Sequence, residues 1–454
     1  MRFVLAILTF SVFFAVSSEE EGISIIRDAE IEETLTEMAK PIFKVAGLNP
    51  ENAKVYVINS NSINAFTIGN GHIFLHSGLL LKFKNPLHIV GIMCHETAHI
   101  AAGHVERLMG VMKSRSTNLL AVMIATAIGM TLSGSPDAMA ILLGYAISDE
   151  RFFLKYSRDE EFAADALAAS YMLKMDYSPE MLAEVFYEFD HLDIMNGGSN
   201  LPTYVRSHPS ATARISAIKK FCTPSRGRSV DDKLTERYNR LTAKLKAYLK
   251  PIDCRSQIPT DPYIKAIYWH KIGRTAEALG IMQELLATNS NDIYYKEAMA
   301  QMLYESGKIA EAVKIYETIC DGKTNPLIRI DYANALLELG KDIDKAIAIL
   351  ESVKYVDRLN ENVFRLLAKA YGKKGREGVS QLMLANEQML LKNYRKALEL
   401  LKSCLTKMDK KTDELFIKKA KYLEELLERD YMEFIDQRYR SPMLTDTVRF
   451  INEI

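Results

Sequence analysis

The chain has 454 residues, 48% of them hydrophobic, which leaves room for two or three domains with real cores and excludes a largely disordered polymer. Its 58 Lys and Arg equal its 58 Asp and Glu, so no charge excess points toward nucleic acid or an anionic surface as a partner. Five scattered cysteines, Cys94, Cys222, Cys254, Cys320 and Cys404, do not make a disulfide framework, although Cys222 and Cys254 bracket a linker-like stretch and could pair.

At the N-terminus, Arg2 precedes an apolar run from Phe3 to Val16, then small residues and acids, the pattern of a secretory signal peptide over residues 1–17. The run is shorter than the ~20 residues that a spanning helix needs. Residues 18–222 have a mixed texture: a helix from Asp28 to Ala46, strand-like runs at Lys54 to Ile58 and His72 to His76 with turn-forming residues between them, then long helices. An apolar stretch at 118–147 is split by SGSPD, so it predicts a helical hairpin or flap over the site, with peripheral membrane contact, rather than a span. Residues 223–259 read as a linker with a charged connecting helix.

From residue 260 to 440 nearly everything predicts helix, and a phrase recurs: GRTAEAL, GKIAEAV and GKDIDKAI, with Ala278, Ala312 and Ala346 each 34 residues apart. That period is the one at which helix pairs stack in tetratricopeptide arrays. A further unit, KNYRKALELL with Ala397, comes 51 residues after Ala346, so the register is expected to break around YGKKGREGVS. Residues 441–454 form a tail.

The chemistry concentrates in NPLHIVGIMCHETAHIAAGHVERLM, residues 85–109, where Asn85 suits an N-cap and Pro86 the first helical position. His95 and His99, four residues apart, project from one face about one turn apart, so two imidazoles can reach a single metal ion. Glu96 lies about 100° round the helix, where it can act on a water at the metal without ligating it. On a continuous helix His104 falls about 140° off the ligand face, and it reads as a surface or packing residue. The third ligand is better sought in YSRDEEFAADALAASYML, a second predicted helix on which Glu161 and Asp165 share a face. There Glu161 would ligate and Asp165 would accept a hydrogen bond from a ligand imidazole, the alternative being an acidic solvated face.

HETAH, then YSRDEEFAAD, then SHPSATAR from Ser207 to Arg214, resemble the M48 peptidase family in its HExxH helix, its SRxxExEAD helix and its HP followed by Arg. Ser157, Arg158, Glu161, Ala164 and Asp165 match, while Ala163 replaces the family's usual second Glu. The resemblance implies an α+β gluzincin-type metallopeptidase domain followed by an all-α tetratricopeptide-repeat array, the order of parts in the family's secreted branch. It also implies one zinc ion per chain on His95, His99 and Glu161, with Glu96 activating the hydrolytic water. His208, beside Pro209, would be either an oxyanion stabiliser or a fourth ligand that keeps the site latent. The segment INAFTIGNGHIFLHSGLL is similar to the family's edge strand, which lines the substrate cleft, and places that edge at Ile73, Phe74 and Leu75.

At the level of function, the resemblance implies a periplasmic endopeptidase acting on misfolded or unassembled outer-membrane proteins, with the repeats gripping clients or assembly machinery. The alternative from another class is a chaperone or assembly factor whose peptidase site is latent.

Overall fold

The computed structural model describes residues 25–69, 71–107, 156–195, 211–222, 231–251, 258–357, 360–391 and 393–439. The signal peptide, the apolar 118–147 stretch, His208 and Cys254 lie outside the described residues. The chain divides into two compact units, with described residues up to Leu285 in the first and from Leu286 in the second.

The first unit is built on a four-stranded mixed sheet, β1 (Ile25–Ile26), β2 (Lys54–Ile58), β3 (Ala65–Thr67) and β4 (His72–His76), in the order β1-β2-β4-β3. β2 and β4 run parallel, with Val55 opposite Ile73 and Val57 opposite Leu75. These four side chains face the core that also takes Leu35, Met38 and Ile42 from α1 (Ala29–Val45). On the alternate positions Tyr56, Phe74 and Phe66 stack in a row, with ring centroids 5.3 and 5.0 Å apart. Helix α1 starts at Asp28, whose carboxylate accepts the Ile31 N–H at 2.9 Å.

One expectation is corrected here. Ile73, Phe74 and Leu75 do not form an edge, because β4 is hydrogen-bonded to β2 on one side and to β3 on the other. The β3–β4 hairpin places the shorter strand outermost, so among the described residues β3, Ala65–Thr67, is the outer strand on that side of the sheet, and it is itself buried.

Beyond the sheet follow α2 (Ser77–Lys82), α3 (Pro86–Ala101), α4 (Arg158–Lys174), α5 (Glu180–Met195) and α6 (Ala211–Lys219). Asn85 caps α3 by accepting the Leu87 N–H at 3.0 Å, with Pro86 in the first turn. Residues 89–99 of α3 are buried on every face, so α3 is the central helix around which the others pack. Ser157 and Glu160 form a reciprocal capping box that starts α4.

The first unit continues through α7 (Asp232–Leu249), α8 (Pro262–Lys271) and most of α9 (Thr275–Thr288). The connecting helix expected within 223–259 forms as α7, and it packs into this core, where Tyr238, Leu241 and Leu245 are buried. Buried charge also ties α7 to α1, since Lys244 lies 2.9 Å from Asp28 and 3.1 Å from Glu30, and Arg240 pairs with Glu30. The Tyr263 hydroxyl of α8 donates to Glu30 at 2.9 Å, which attaches the first repeat-like helix to the same network.

In the second unit helices stack in antiparallel pairs: α10 (Ile293–Glu305) with α11 (Ile309–Ile319), α12 (Pro326–Leu339) with α13 (Ile343–Val353), α14 (Glu361–Lys373) with α15 (Glu377–Leu390), and α16 (Tyr394–Lys407) with α17 (Glu414–Tyr439). Ala312 and Ala346 are fully buried on the second helix of their pairs. The register is interrupted around YGKKGREGVS, as the sequence phrase implied: the next fully buried phrase residue, Ala397, lies on α16, and two helices, α14 and α15, separate it from α13 where one separates α11 from α13. Gly375 takes the left-handed conformation of Gly340, with φ of +71° at both, and α15 follows with Ser380 standing 34 residues after Ala346. Ser380 is half-buried, unlike Ala312 and Ala346, and its hydroxyl donates to the Ala368 carbonyl at 2.7 Å. Among the described residues no helix is long and apolar enough to cross a membrane.

Candidate metal centre

Helices α3 and α4 bring together three donors that the sequence had placed on separate elements. His95 and His99 Nε2 atoms stand 3.1 Å apart, and the two oxygens of Glu161 lie 3.5 Å from one and 3.5 Å from the other. Ligands about 2.0–2.1 Å from a tetrahedral ion stand roughly 3.3 Å from one another, so the three side chains are spaced as a zinc site requires. All three are fully buried, and they are the group among the described residues whose donor atoms converge in this way. Glu96, also fully buried, sits between the two histidines on α3.

Charge supports the same reading. Glu96, Glu161 and Asp165 bring three buried carboxylates to the centre, against the one buried guanidinium of Arg214. With His95 neutral, as a metal ligand must be, that leaves among the described residues an excess of two negative charges in a desolvated place, which a divalent cation offsets.

Each ligand is held from behind. Asp165 Oδ1 lies 3.0 Å from His95 Nδ1, so the carboxylate fixes the ring with Nε2 turned to the centre. Arg214, from α6, grips Asp165 with two hydrogen bonds of 2.7 Å and reaches Glu161 at 2.7 Å, while its guanidinium stacks 4.3 Å over Phe186 of α5. Burial opposes ionisation of Asp165, but Arg214 and then His95 outweigh it and hold the carboxyl below its usual range. Burial likewise opposes charge on His95, yet Asp165 and Glu161 carry its pKa up to about 9. The carboxylates that favour a proton there favour a cation in its place.

Three residues at the centre were not among the sequence candidates. Arg214 was noted only as part of a motif. Tyr156 directly precedes α4, and its ring stacks on His99 with centroids 3.8 Å apart; burial pushes its hydroxyl well above the ordinary tyrosine range. His104, read as a surface or packing residue, is buried with its Nδ1 3.0 Å from His99 Nδ1. The helical phase that excluded it does not apply, because α3 ends at Ala101 and Gly103 turns left-handed at φ +67°. Burial also lowers the His104 pKa, which favours its neutral form.

The sequence profile of peptidase family M48 matches residues 26–221, the span that holds all of these residues. Residues 26–221 are an M48 peptidase domain. A tetratricopeptide-repeat profile matches 303–370, within the stacked pairs of the second unit. The M48 domain is that of a metallopeptidase, and zinc is the cofactor of the family; His95, His99 and Glu161 fit it.

Curated relatives are similar at modest identity. The chain is 22% identical to the beta-barrel assembly-enhancing protease of Escherichia coli K12 over 328 residues, 69% of this chain and 66% of that protein, just under two thirds of its length. It is 28% identical to the metalloprotease YcaL of the same organism, over 41% of this chain and 67% of the relative. It is 23% identical to the human mitochondrial metalloendopeptidase OMA1, over 42% of this chain and 36% of the relative.

Proposed function

We propose that this chain is a zinc-dependent metalloendopeptidase that hydrolyses misfolded or unassembled envelope proteins in the periplasm, its helical repeats binding clients or an assembly partner. The observation that carries the reading is the buried set of His95, His99 and Glu161 with atoms 3.1–3.5 Å apart and Glu96 between them. The similarity to a beta-barrel assembly-enhancing protease supports the envelope role, and the signal-peptide pattern at residues 1–17 supports export.

Bound zinc supplies Lewis acidity, lowering the pKa of a water and polarising a carbonyl. Glu96 takes the proton of the attacking water and hands it to the leaving amine. Asp165 and Arg214 keep His95 and Glu161 in place through that transfer, so the polar groups need no rearrangement. An extended client is recognised by main-chain hydrogen bonds, which selects for unfolded chain rather than for a sequence. His208 acts either on the oxyanion or as a fourth ligand of a latent site.

Replacing Glu96 by Gln is expected to leave zinc content and fold unchanged and to lower hydrolysis of an unfolded outer-membrane protein by at least about 100-fold. Hydrolysis at the wild-type rate would contradict the reading. The relative's name, with its reference to assembly, favours a second role in which the repeats assist assembly without cleavage. Full complementation of a null strain by the Glu96→Gln chain would assign the biological role to that activity.

A further inference from the structure

His104 is neither a member of the ligand set nor a proton carrier in the reaction above, yet it is buried directly against a ligand. We propose that His104 is a positioning residue that fixes the tautomer and rotation of His99, the counterpart on that side of the centre to Asp165 behind His95. The inference rests on the zinc-site reading.

An imidazole has its two nitrogens on opposite sides of the ring. His99 Nε2 faces the centre, 3.1 Å from His95 Nε2 and 3.5 Å from Glu161. For that nitrogen to offer a lone pair to a metal, the proton of neutral His99 must sit on Nδ1, where it needs an acceptor in a place closed to water. His104 Nδ1 stands there at 3.0 Å, and accepting that hydrogen bond puts the proton of His104 on its own Nε2. The tautomers of the two rings are therefore coupled.

Two further observations agree with a clamp. Tyr156 lies flat on His99 at 3.8 Å, inclined 20°, and its centroid is 6.3 Å from that of His104, so face and edge of the ligand ring are both contacted. The backbone also delivers His104 by a defined device: Ala102 and Gly103 N–H groups donate to the Ala98 and Ile100 carbonyls, and the left-handed Gly103 turns the chain back toward His99. His104 is not a fourth ligand, because its Nδ1 addresses the side of His99 that faces away from the centre.

The test is zinc affinity of the full chain by competition with a chromophoric chelator, together with the visible spectrum of the cobalt(II)-substituted protein. His104→Leu is expected to weaken zinc binding 10–100-fold and to shift the cobalt bands, with the melting temperature of the metal-free protein close to that of the parent. His104→Asn, whose amide oxygen can reach the place of Nδ1, is expected to recover most of the affinity. His104→Gln, with its oxygen one methylene further out, is expected to stay as weak as His104→Leu, and it serves as the loss variant if the Leu chain does not fold. Unchanged affinity and cobalt spectrum in the loss variants would overturn the proposal, and so would an Asn variant no tighter than Gln. A parent chain that takes up no zinc would instead remove the metallopeptidase reading, so the two failures are distinguishable.

Discussion

The metal centre and the helical array use burial differently. At the centre, charged and polar groups converge from α3, α4 and α6, so that Arg214 and His95 meet although 119 residues separate them in the chain. In the array, small residues at Ala312 and Ala346 stand one period apart, each fully buried. The difference predicts different kinds of failure. A change at the centre strands a buried charge, whereas a change in the array disturbs one inter-helix layer and leaves chemistry elsewhere intact.

The largest expected effect follows from removing the one guanidinium at the centre. Arg214→Leu takes the guanidinium from Glu161 and Asp165 and leaves His95 as their cationic neighbour, and it should cost about 3–5 kcal/mol in urea unfolding of the metal-free protein. A loss below about 1 kcal/mol would show that another cation serves those carboxylates and would break the contrast with the array.

An intermediate effect is expected from overfilling one layer of the array. Ala312→Leu adds three carbons at a fully buried position and should destabilise the second unit by about 1–3 kcal/mol. Zinc uptake and hydrolysis of a short peptide should remain at the parent level. A parallel loss of zinc, read by metal analysis of the purified variant, would mean that the two units do not fail separately.

The smallest effect is expected at a half-buried position of the array. Ser380→Ala gives up one hydrogen bond to the Ala368 carbonyl, so the change should stay within about 0.5–1 kcal/mol. A cost above about 2 kcal/mol would place Ser380 in a role that the repeat pattern does not describe.

Legibility followed the range of the interactions. His95, Glu96 and His99 stood out through spacing within one helix, since residues four apart share a face wherever that helix lies, whereas for Glu161 and Asp165 spacing left an acidic solvated face open and the resemblance to the M48 family singled them out. For His104 the packing alternative holds and the surface one does not: its phase assumed a helix running past Ala101, and the left-handed Gly103 ends that assumption. Arg214 stood in a motif, but nothing local says that its guanidinium would bridge Glu161 and Asp165 from another helix. The strand order was hidden too. Alternation identifies His72–His76 as a strand, while its place between β2 and β3 is set by pairing that no single strand encodes. The connecting helix showed a charged amphipathic pattern, and only the structure shows Lys244 and Arg240 turned onto Glu30.

The account's central claim is that His95, His99 and Glu161 hold one zinc ion. Diffraction from zinc-loaded crystals, recorded above and below the zinc absorption edge, tests it directly. One anomalous peak per chain, about 2.0–2.2 Å from both Nε2 atoms and a Glu161 oxygen, is the predicted result. A fully loaded crystal with no peak at that place, or with its peak on other side chains, would contradict it.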